Sequence, residues 1–317
     1  MVIGDDVLIC KEIVDSLLPK NGDETLLCLS FYVTLYFEDG HLSAKRRACV
    51  DLFDEYRRIF DAPLMWGTHP KKYTWKPFEP SLSPSSWLID THQDVWQYYY
   101  HGGKTYDSCS PWRVQAFGYP SMAPGHKLSF LNVALPITFF IDQPAFDVPK
   151  LFTNWCDILQ PLHGSGGFAV LASPDAKKEM SISQQIRVLA QRFPGLEVDY
   201  PASHILYLQN TIKGVNWLTC LGDRWIEQLG GVDWMRKDLG NEFIFHSYTK
   251  GLLIQAGPQP GVGDNLCGAG IAHYKKLFSV LRHICCYEHA PLLGFDQKST
   301  TQWFRRFDWF PPIKYTS

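Results

Sequence analysis

Apolar and polar positions switch between two periodicities along this chain. Leu26 to Phe37 (LLCLSFYVTLYF) is an unbroken apolar run rich in β-branched and aromatic residues, which predicts a buried strand. Gly40 interrupts it. From His41 to Phe60 the apolar residues Ala44, Ala48, Leu52, Phe53, Tyr56 and Phe60 recur at helical spacing. That pattern predicts an amphipathic helix with Lys45, Arg46, Asp54, Arg57 and Arg58 on its outer face. A similar unit follows. Leu128 to Phe140 (LSFLNVALPITFF) reads as a strand, with Pro136 marking an edge, a bulge or the strand's end. Phe146 to Leu159 reads as a helix with Trp155 on its apolar side, His163 to Gly167 as a glycine turn, and Phe168 to Ala172 as a strand. LSFYV and LSFLN open the two units and suggest two strand–helix–strand halves.

Between the units, proline-rich Lys71 to Ser86 predicts a long loop, Trp87 to Tyr100 a helix, and Trp112 to Phe117 a short strand. Further on, Ser181 to Phe193 predicts a helix, His204 to Leu208 a strand, and Gly222 to Trp234 short helices. Glu242 to Tyr248 and Gly251 to Gln255 form a hairpin around Lys250 and Gly251, and Ala272 to Cys285 a helix. The tail from Phe295 to Ser317 is aromatic and irregular, with Trp303, Phe304, Trp309 and Phe310 expected to pack on the body or on a partner. Strands alternating with amphipathic helices imply a mixed α/β or α+β domain, a mixed sheet with helices packed on it. At 317 residues and 45% hydrophobic, the whole chain, 1–317, is expected to form one domain around one core.

Charge narrows the functional classes. The formal net charge is −2, which lacks the basic stripe of a nucleic-acid binder. Met1 to Asp61 holds twelve acidic and seven basic residues, and Ala62 to Phe130 four acidic and six basic. The acidic first segment suits either a basic partner or solvated helix surfaces. The nine cysteines (Cys10, Cys28, Cys49, Cys109, Cys156, Cys220, Cys267, Cys285, Cys286) sit mostly in apolar contexts without a CxxC pair. They read as buried thiols of a reducing compartment. The opening MVIGDDVLIC has no signal-peptide pattern and no stretch is apolar over a membrane span's length, so the expected location is the cytoplasm.

The candidate chemistries are thin. His163-Gly164-Ser165-Gly166-Gly167 lacks the spacing of a nucleophile elbow, although His163 and Ser165 remain the best hydrolase candidates. The glycine- and proline-rich segment from Gly257 and Pro258 to Asp264 has no Lys-Ser/Thr after it and is expected to be a rigid loop. His283, Cys285, Cys286 and His289 offer zinc-type ligands, but adjacent cysteines diverge on a helix, and a helix end with buried thiols is the plainer reading. His92, Asp94 and His101 bracket Trp96-Gln97-Tyr98-Tyr99-Tyr100. On a helix, Asp90 and Asp94 share a face beside rings of Trp96, Tyr98, Tyr99 and Tyr100, a combination suited to protein contact. No catalytic residue, metal or cofactor is assigned.

The C-terminal third carries a more specific order: RFPGLEVDYP (Arg192 to Pro201), IKGVNWLTCLG (Ile212 to Gly222), then GLLIQAGPQPGVGD (Gly251 to Asp264). Together these resemble the bacterial type VI immunity family, over roughly Leu26 to Leu281. The resemblance implies a protein that binds and neutralises a type VI secretion toxin, with some family partners being nucleases of the restriction-endonuclease-like superfamily. It supplies no catalytic residues. On physical grounds Lys213-Gly214-Val215-Asn216-Trp217 is expected to be scaffold: Gly214 gives backbone freedom, Asn216 caps the following segment and Trp217 anchors it. The alternatives are a hydrolase or metal-dependent enzyme using His163 and Ser165 or the His283–His289 cluster, and a non-inhibitory adaptor of a secretion system.

Overall fold

The computed structural model describes residues 25–122, 127–266 and 271–308. The opening MVIGDDVLIC, Cys10, Cys267 and the tail residues Trp309 and Phe310 lie outside the described residues. Eleven strands form one sheet: β1 (Leu27–Phe37), β2 (Trp66–Thr68), β3 (Trp75–Pro77), β4 (Trp96–His101), β5 (Arg113–Gly118), β6 (Ser129–Pro136), β7 (His163–Ala172), β8 (Glu197–Val198), β9 (Leu218–Gly222), β10 (Phe243–Tyr248) and β11 (Gly251–Ala256). Their order is β10-β11-β9-β7-β1-β6-β5-β4-β2-β3, with β8 beside β7. Every ladder is antiparallel except β7 with β8. The architecture is α+β, more uniformly antiparallel than the mixed sheet expected.

β1 is the axis. It pairs with β6 on one side (Val33 opposite Val133) and β7 on the other (Phe31 opposite Phe168). The expected helices α1 (Ser43–Phe60) and α2 (Val148–Leu159) cover one face of the sheet. There Phe31, Val33, Val133 and Leu135 meet Phe60, Phe152 and Trp155. Asp147 starts α2 by accepting the Lys150 amide hydrogen, and Trp155 Nε1 donates to Glu55 of α1 at 2.9 Å. The second unit is thus β6–α2–β7, which crosses over β1. The first runs β1–α1–β2, and β2 lies near the far edge of the sheet. Pro136 ends β6, as read from sequence. On α1, Ala44 is exposed, whereas Arg46 is buried because its guanidinium donates to Thr91 O (2.6 Å) and Gln93 O (2.7 Å).

Three local expectations fail. Trp87 to Tyr100 is an irregular segment followed by β4, not a helix. His163 to Gly167 is the first half of β7, not a turn. His204 ends a helical turn (Pro201–His204), and no strand follows it. The proline-rich segment Lys71 to Ser86 also contains β3 and two 3₁₀ turns. Of the short helices α3 (Ala176–Ser181), α4 (Ser183–Arg192), α5 (Asp223–Gln228), α6 (Val232–Leu239) and α7 (Ala272–Leu281), all but α3, which precedes the helix expected from Ser181, follow the sequence pattern, as does the β10–β11 hairpin.

The described part of the tail is ordered by a helix, α8 (Gln297–Phe304), started by a capping box between Asp296 and Ser299. Phe295, Trp303, Phe304 and Phe307 are buried on the body. A histidine pair fastens this docking. The Tyr200 amide donates to His204 Nε2 (3.2 Å), which leaves the His204 proton on Nδ1. His204 Nδ1 then donates to His289 Nε2 (3.0 Å), and His289 Nδ1 to Ala290 O (2.6 Å). Phe304 stacks on His289 at 4.9 Å. Both rings are therefore neutral with one tautomer each. Burial, reinforced for His204 by the Lys213 ammonium, pushes both below the usual histidine range.

Burial also lowers His101 to about 4 and His163 to about 3. A histidine with a depressed folded-state value contributes full stability above its unfolded value near ~6.5. That stability is lost as pH falls from there toward the folded-state value, by up to about 1.4 kcal/mol per pH unit for each ring. Burial raises Glu179 to about 7, which works in the opposite direction, one carboxyl against four rings. The urea midpoint should therefore fall as pH is lowered from about 7 to 5. His163→Gln should fall less steeply over the same range. A flat profile for the unaltered protein would contradict the assignment of neutral rings.

The KGVNW segment lies ahead of strand β9 and not at a helix start, with Lys213, Val215, Asn216 and Trp217 buried. Asn216 Oδ1 accepts the Trp217 amide hydrogen (2.8 Å), so it caps the entry to a strand. A side chain at Gly167 would meet Asn216 Oδ1 at 2.1 Å, which explains one glycine of β7. Trp217 lies edge-on to Phe31 (6.0 Å) and its Nε1 donates to Gly257 O (3.1 Å). Gly257 has a φ of +84°, a conformation that suits glycine. Trp217→Ala should cost about 3–5 kcal/mol of stability, read as a lower melting temperature. An unchanged melting temperature would remove Trp217 from the core.

Candidate functional site

The second face of the sheet is polar. Tyr32 and Thr34 of β1, Asn132 of β6, Arg113 of β5 and Ser165 of β7 all project from it, because neighbouring strands present alternate residues to the same side. The centre of this face is closed by the segment from β8 to β9 and by the tail. Asp199 Oδ2 accepts hydrogen bonds from Thr34 Oγ1 (2.6 Å) and Asn132 Nδ2 (2.8 Å), and Asp199 Oδ1 accepts one from Lys213 Nζ (2.8 Å). Lys213 also pairs with Glu197 (2.9 Å), whose other oxygen receives Arg306 Nη2 (3.1 Å). The Arg306 guanidinium lies 3.8 Å from the Trp303 ring centroid. Asn132 Oδ1 accepts from Arg113 Nη2 (2.9 Å) and Gln115 Nε2 (3.0 Å). Two carboxylates and two cations thus neutralise each other beneath the tail.

This network absorbs the hydrolase candidates. Ser165 Oγ shares a 2.8 Å hydrogen bond with Tyr32 OH. His163 faces Leu208 O (3.3 Å) and packs on Tyr36, with ring centroids 4.9 Å apart. Among the described residues no hydrogen bond joins His163 to Ser165, and burial keeps the His163 ring neutral to about pH 3. The metal candidates are separated too. His283 is exposed, His289 is committed to His204, Cys285 Sγ contacts Leu281 O (3.4 Å) and Cys286 Sγ contacts Glu288 O (3.3 Å). No group of three or more metal-type ligands converges among the described residues. Asp264 pairs with Arg192 (3.0 Å) and accepts from the Leu266 amide (2.9 Å), so the loop after β11 braces α4. Pro258 is exposed in that loop.

The expected contact helix becomes a strand with alternating sides. Trp96, Tyr98 and Tyr100 point under α1 and are 1%, 1% and 0% exposed. Tyr98 OH donates to Cys49 O (3.1 Å) and Trp96 Nε1 to Gly40 O (2.8 Å). These three rings are core. Tyr99 points to the polar face. Asp90 and Asp94 remain exposed, together with His92 and Val95, on the loop that Arg46 holds from below. His101 is buried under Trp75 (4.9 Å).

Beyond the closed centre, the polar face opens at β2 to β5 into a cleft of about 340 Å³. Trp75, Gln97, Tyr99, Gln115, Phe117 and Lys127 line it. Trp75 meets Tyr99 edge-on at 5.2 Å. The sequence pattern places Trp75 in a loop and Gln97 on a helix, so neither is assigned to this cleft, and Phe117, although on an expected strand, has no partner strand β4 to set beside it. The period-two, β-favouring string Trp-Gln-Tyr-Tyr-Tyr-His was the available signal. The acidic loop runs into β4 and so into this cleft through Gln97.

No curated protein matches the chain. The fold is similar to that of the Pseudomonas aeruginosa T6SS protein PA0821, with a TM-score of 0.82 and 24% identity, over 93% of this chain and 86% of that one. The model of the family TsiV, described as type VI immunity for VRR-NUC, matches residues 48–307. That span contains the cleft, the four buried charges Glu197, Asp199, Lys213 and Arg306, and the KGVNWLT and GLLIQAGPQP motifs, but not β1 with Tyr32 and Thr34. The chain belongs to the TsiV family of type VI immunity proteins.

Proposed function

We propose that this protein, acting as one domain across 1–317, neutralises a nuclease effector of the VRR-NUC class, within the restriction-endonuclease-like superfamily. It does so by occluding the active site or DNA-binding surface. The family match over residues 48–307 carries this reading. Occlusion requires a rigid surface and no turnover, and the candidate side chains His163, Ser165, Cys285, Cys286 and His289 each have a structural partner instead. The proposed compartment is the cytoplasm, where such a nuclease meets DNA; no described helix is long and apolar enough to cross a membrane.

The contact surface we assign is the loop bearing Asp90 and Asp94, with Val95 (42% exposed) as its apolar element and Tyr99 in the adjoining cleft. Trp96, Tyr98 and Tyr100 support it from the core. DNA-binding clefts carry cations for phosphate, and exposed carboxylates speed association with such a surface. A stable complex should bury about 1,600 Å², more than the loop alone supplies, so the neighbouring cleft is included.

Co-expression with the cognate nuclease should abolish its toxicity and yield a one-to-one complex. Co-purification without inhibition would favour the adaptor reading. Asp90→Lys with Asp94→Lys should leave the melting temperature nearly unchanged, because exposed carboxylates add little to folding. Association at low salt should slow by roughly tenfold. Unchanged rate and affinity would remove this loop from the interface.

A further inference from the structure

We propose that Cys28 and Cys109 are a thiol pair that a small disulfide oxidant, such as oxidised glutathione, converts into a reversible internal disulfide. Cys28 is the second residue of β1, and Cys109 lies in the connection from β4 to β5. Their Sγ atoms are 3.1 Å apart, although 81 positions separate them in sequence. A disulfide bond is about 2.05 Å long, so ~1 Å of closure is needed, within reach of side-chain rotation.

The backbones around the pair are already fixed together. The Cys109 amide donates to Thr25 O (2.7 Å) and the Ser173 amide to Leu26 O (2.9 Å). Ser173 Oγ donates to Asp107 O (2.6 Å). The pair packs with Tyr32, Ala134, Ala169 and Leu171, and Cys109 Sγ also contacts Leu171 O at 3.3 Å.

Access distinguishes this pair from the other close pair. Cys156 and Cys220 are 3.7 Å apart, but both are 0% exposed. Cys109 is also buried, whereas Cys28 is partly exposed. Cys28, the less buried residue of the two, is therefore assigned as the sulfur an oxidant attacks, and Cys109 as the resolving thiol. The Cys28 thiolate attacks one sulfur of the oxidant; the new bond joins Cys28 to that half, the oxidant's own S–S bond breaks, and the other half leaves as a thiolate. Cys109 then gives its proton to solvent and attacks Cys28 Sγ, expelling the second half as a thiolate. The two leaving thiolates each take up a proton. Two protein thiols lose two electrons and two protons, and one oxidant disulfide becomes two thiols.

The contact with Cys109, followed by burial, pushes the Cys28 thiol above its usual range. Oxidation is accordingly slow near neutrality and accelerates with pH. The product ties the start of β1 to the β4–β5 connection and closes a long loop, which restricts the unfolded chain.

The test uses the full folded chain, incubated with oxidised glutathione at about pH 8. The expected product is about 2 Da lighter, with a Cys28–Cys109 link in the non-reduced peptide map and a melting temperature raised by roughly 5 °C or more. Dithiothreitol should reverse both changes. Peptide mapping is required because Cys10 and Cys267 supply further thiols. Cys28→Ala and Cys109→Ala should each abolish the link and the stabilisation, while Cys156→Ala keeps both. Should either alanine variant fold poorly, the map of the unaltered protein decides alone. Glutathione retained on Cys28 without resolution, a Cys156–Cys220 link in its place, or a Cys28–Cys109 link that forms only in urea would each overturn the proposal.

Discussion

The rest of the structure depends on four charges removed from water under the tail: Glu197, Asp199, Lys213 and Arg306. Each side chain is 10% exposed or less. A buried ion without its partner costs far more than a buried pair yields, about 3–5 kcal/mol when one member is removed. The arrangement is therefore conditional. Glu197 and Asp199 can sit on the sheet only if Lys213 arrives from the KGVNW segment and Arg306 from beyond α8. Thr34 and Asn132 must also offer donors from the two central strands. This makes the network a registry device: a slip of one residue in β1 or β6 would turn Thr34 or Asn132 to the apolar face and leave Asp199 short of donors.

The same condition explains why the tail packs back. Its rings bury apolar area, but apolar area alone does not specify one pose. Arg306, gripped between Glu197, Pro194 O (2.8 Å) and the Trp303 ring, does. The His204–His289 pair adds a second fixed point, in which each ring's single proton has one place to go.

Much of the fold was legible in the sequence because it follows from near-neighbour pattern. β1, α1, α2 and the β10–β11 hairpin each declare their periodicity within a dozen residues. The failures share a physical cause. His163 to Gly167 looks like a turn locally, yet Gly167 serves a contact with Asn216 that lies far along the chain. Arg46 looks like a surface charge, yet two carbonyls of a distant loop receive it. The charge network spans 109 positions between Glu197 and Arg306, and no local window contains both. β4 differs, since its strand signal was present. It was hidden by reading Trp87 to Tyr100 as one element, when the segment before Trp96 is irregular and only the six residues of β4 are regular. That error also moved three core rings onto the surface.

The polar face of the sheet then has two halves with different side-chain chemistry. The closed half carries fixed charges and hydroxyls with mutual partners. The open half, at β2 to β5, carries Trp75, Tyr99 and Phe117 between the amides of Gln97 and Gln115. Aromatic rings offer large contact area at small entropic cost, and amides offer both donors and acceptors. Strands position Trp75, Gln97, Tyr99, Gln115 and Phe117, and the acidic loop beside them is held by the two Arg46 hydrogen bonds. An inhibitor that must bind faster than its target cuts benefits from such an arrangement, because little ordering remains to be done on association. Closure of one half by buried charge fixes the sheet, and the fixed sheet holds the side chains of the other half in place.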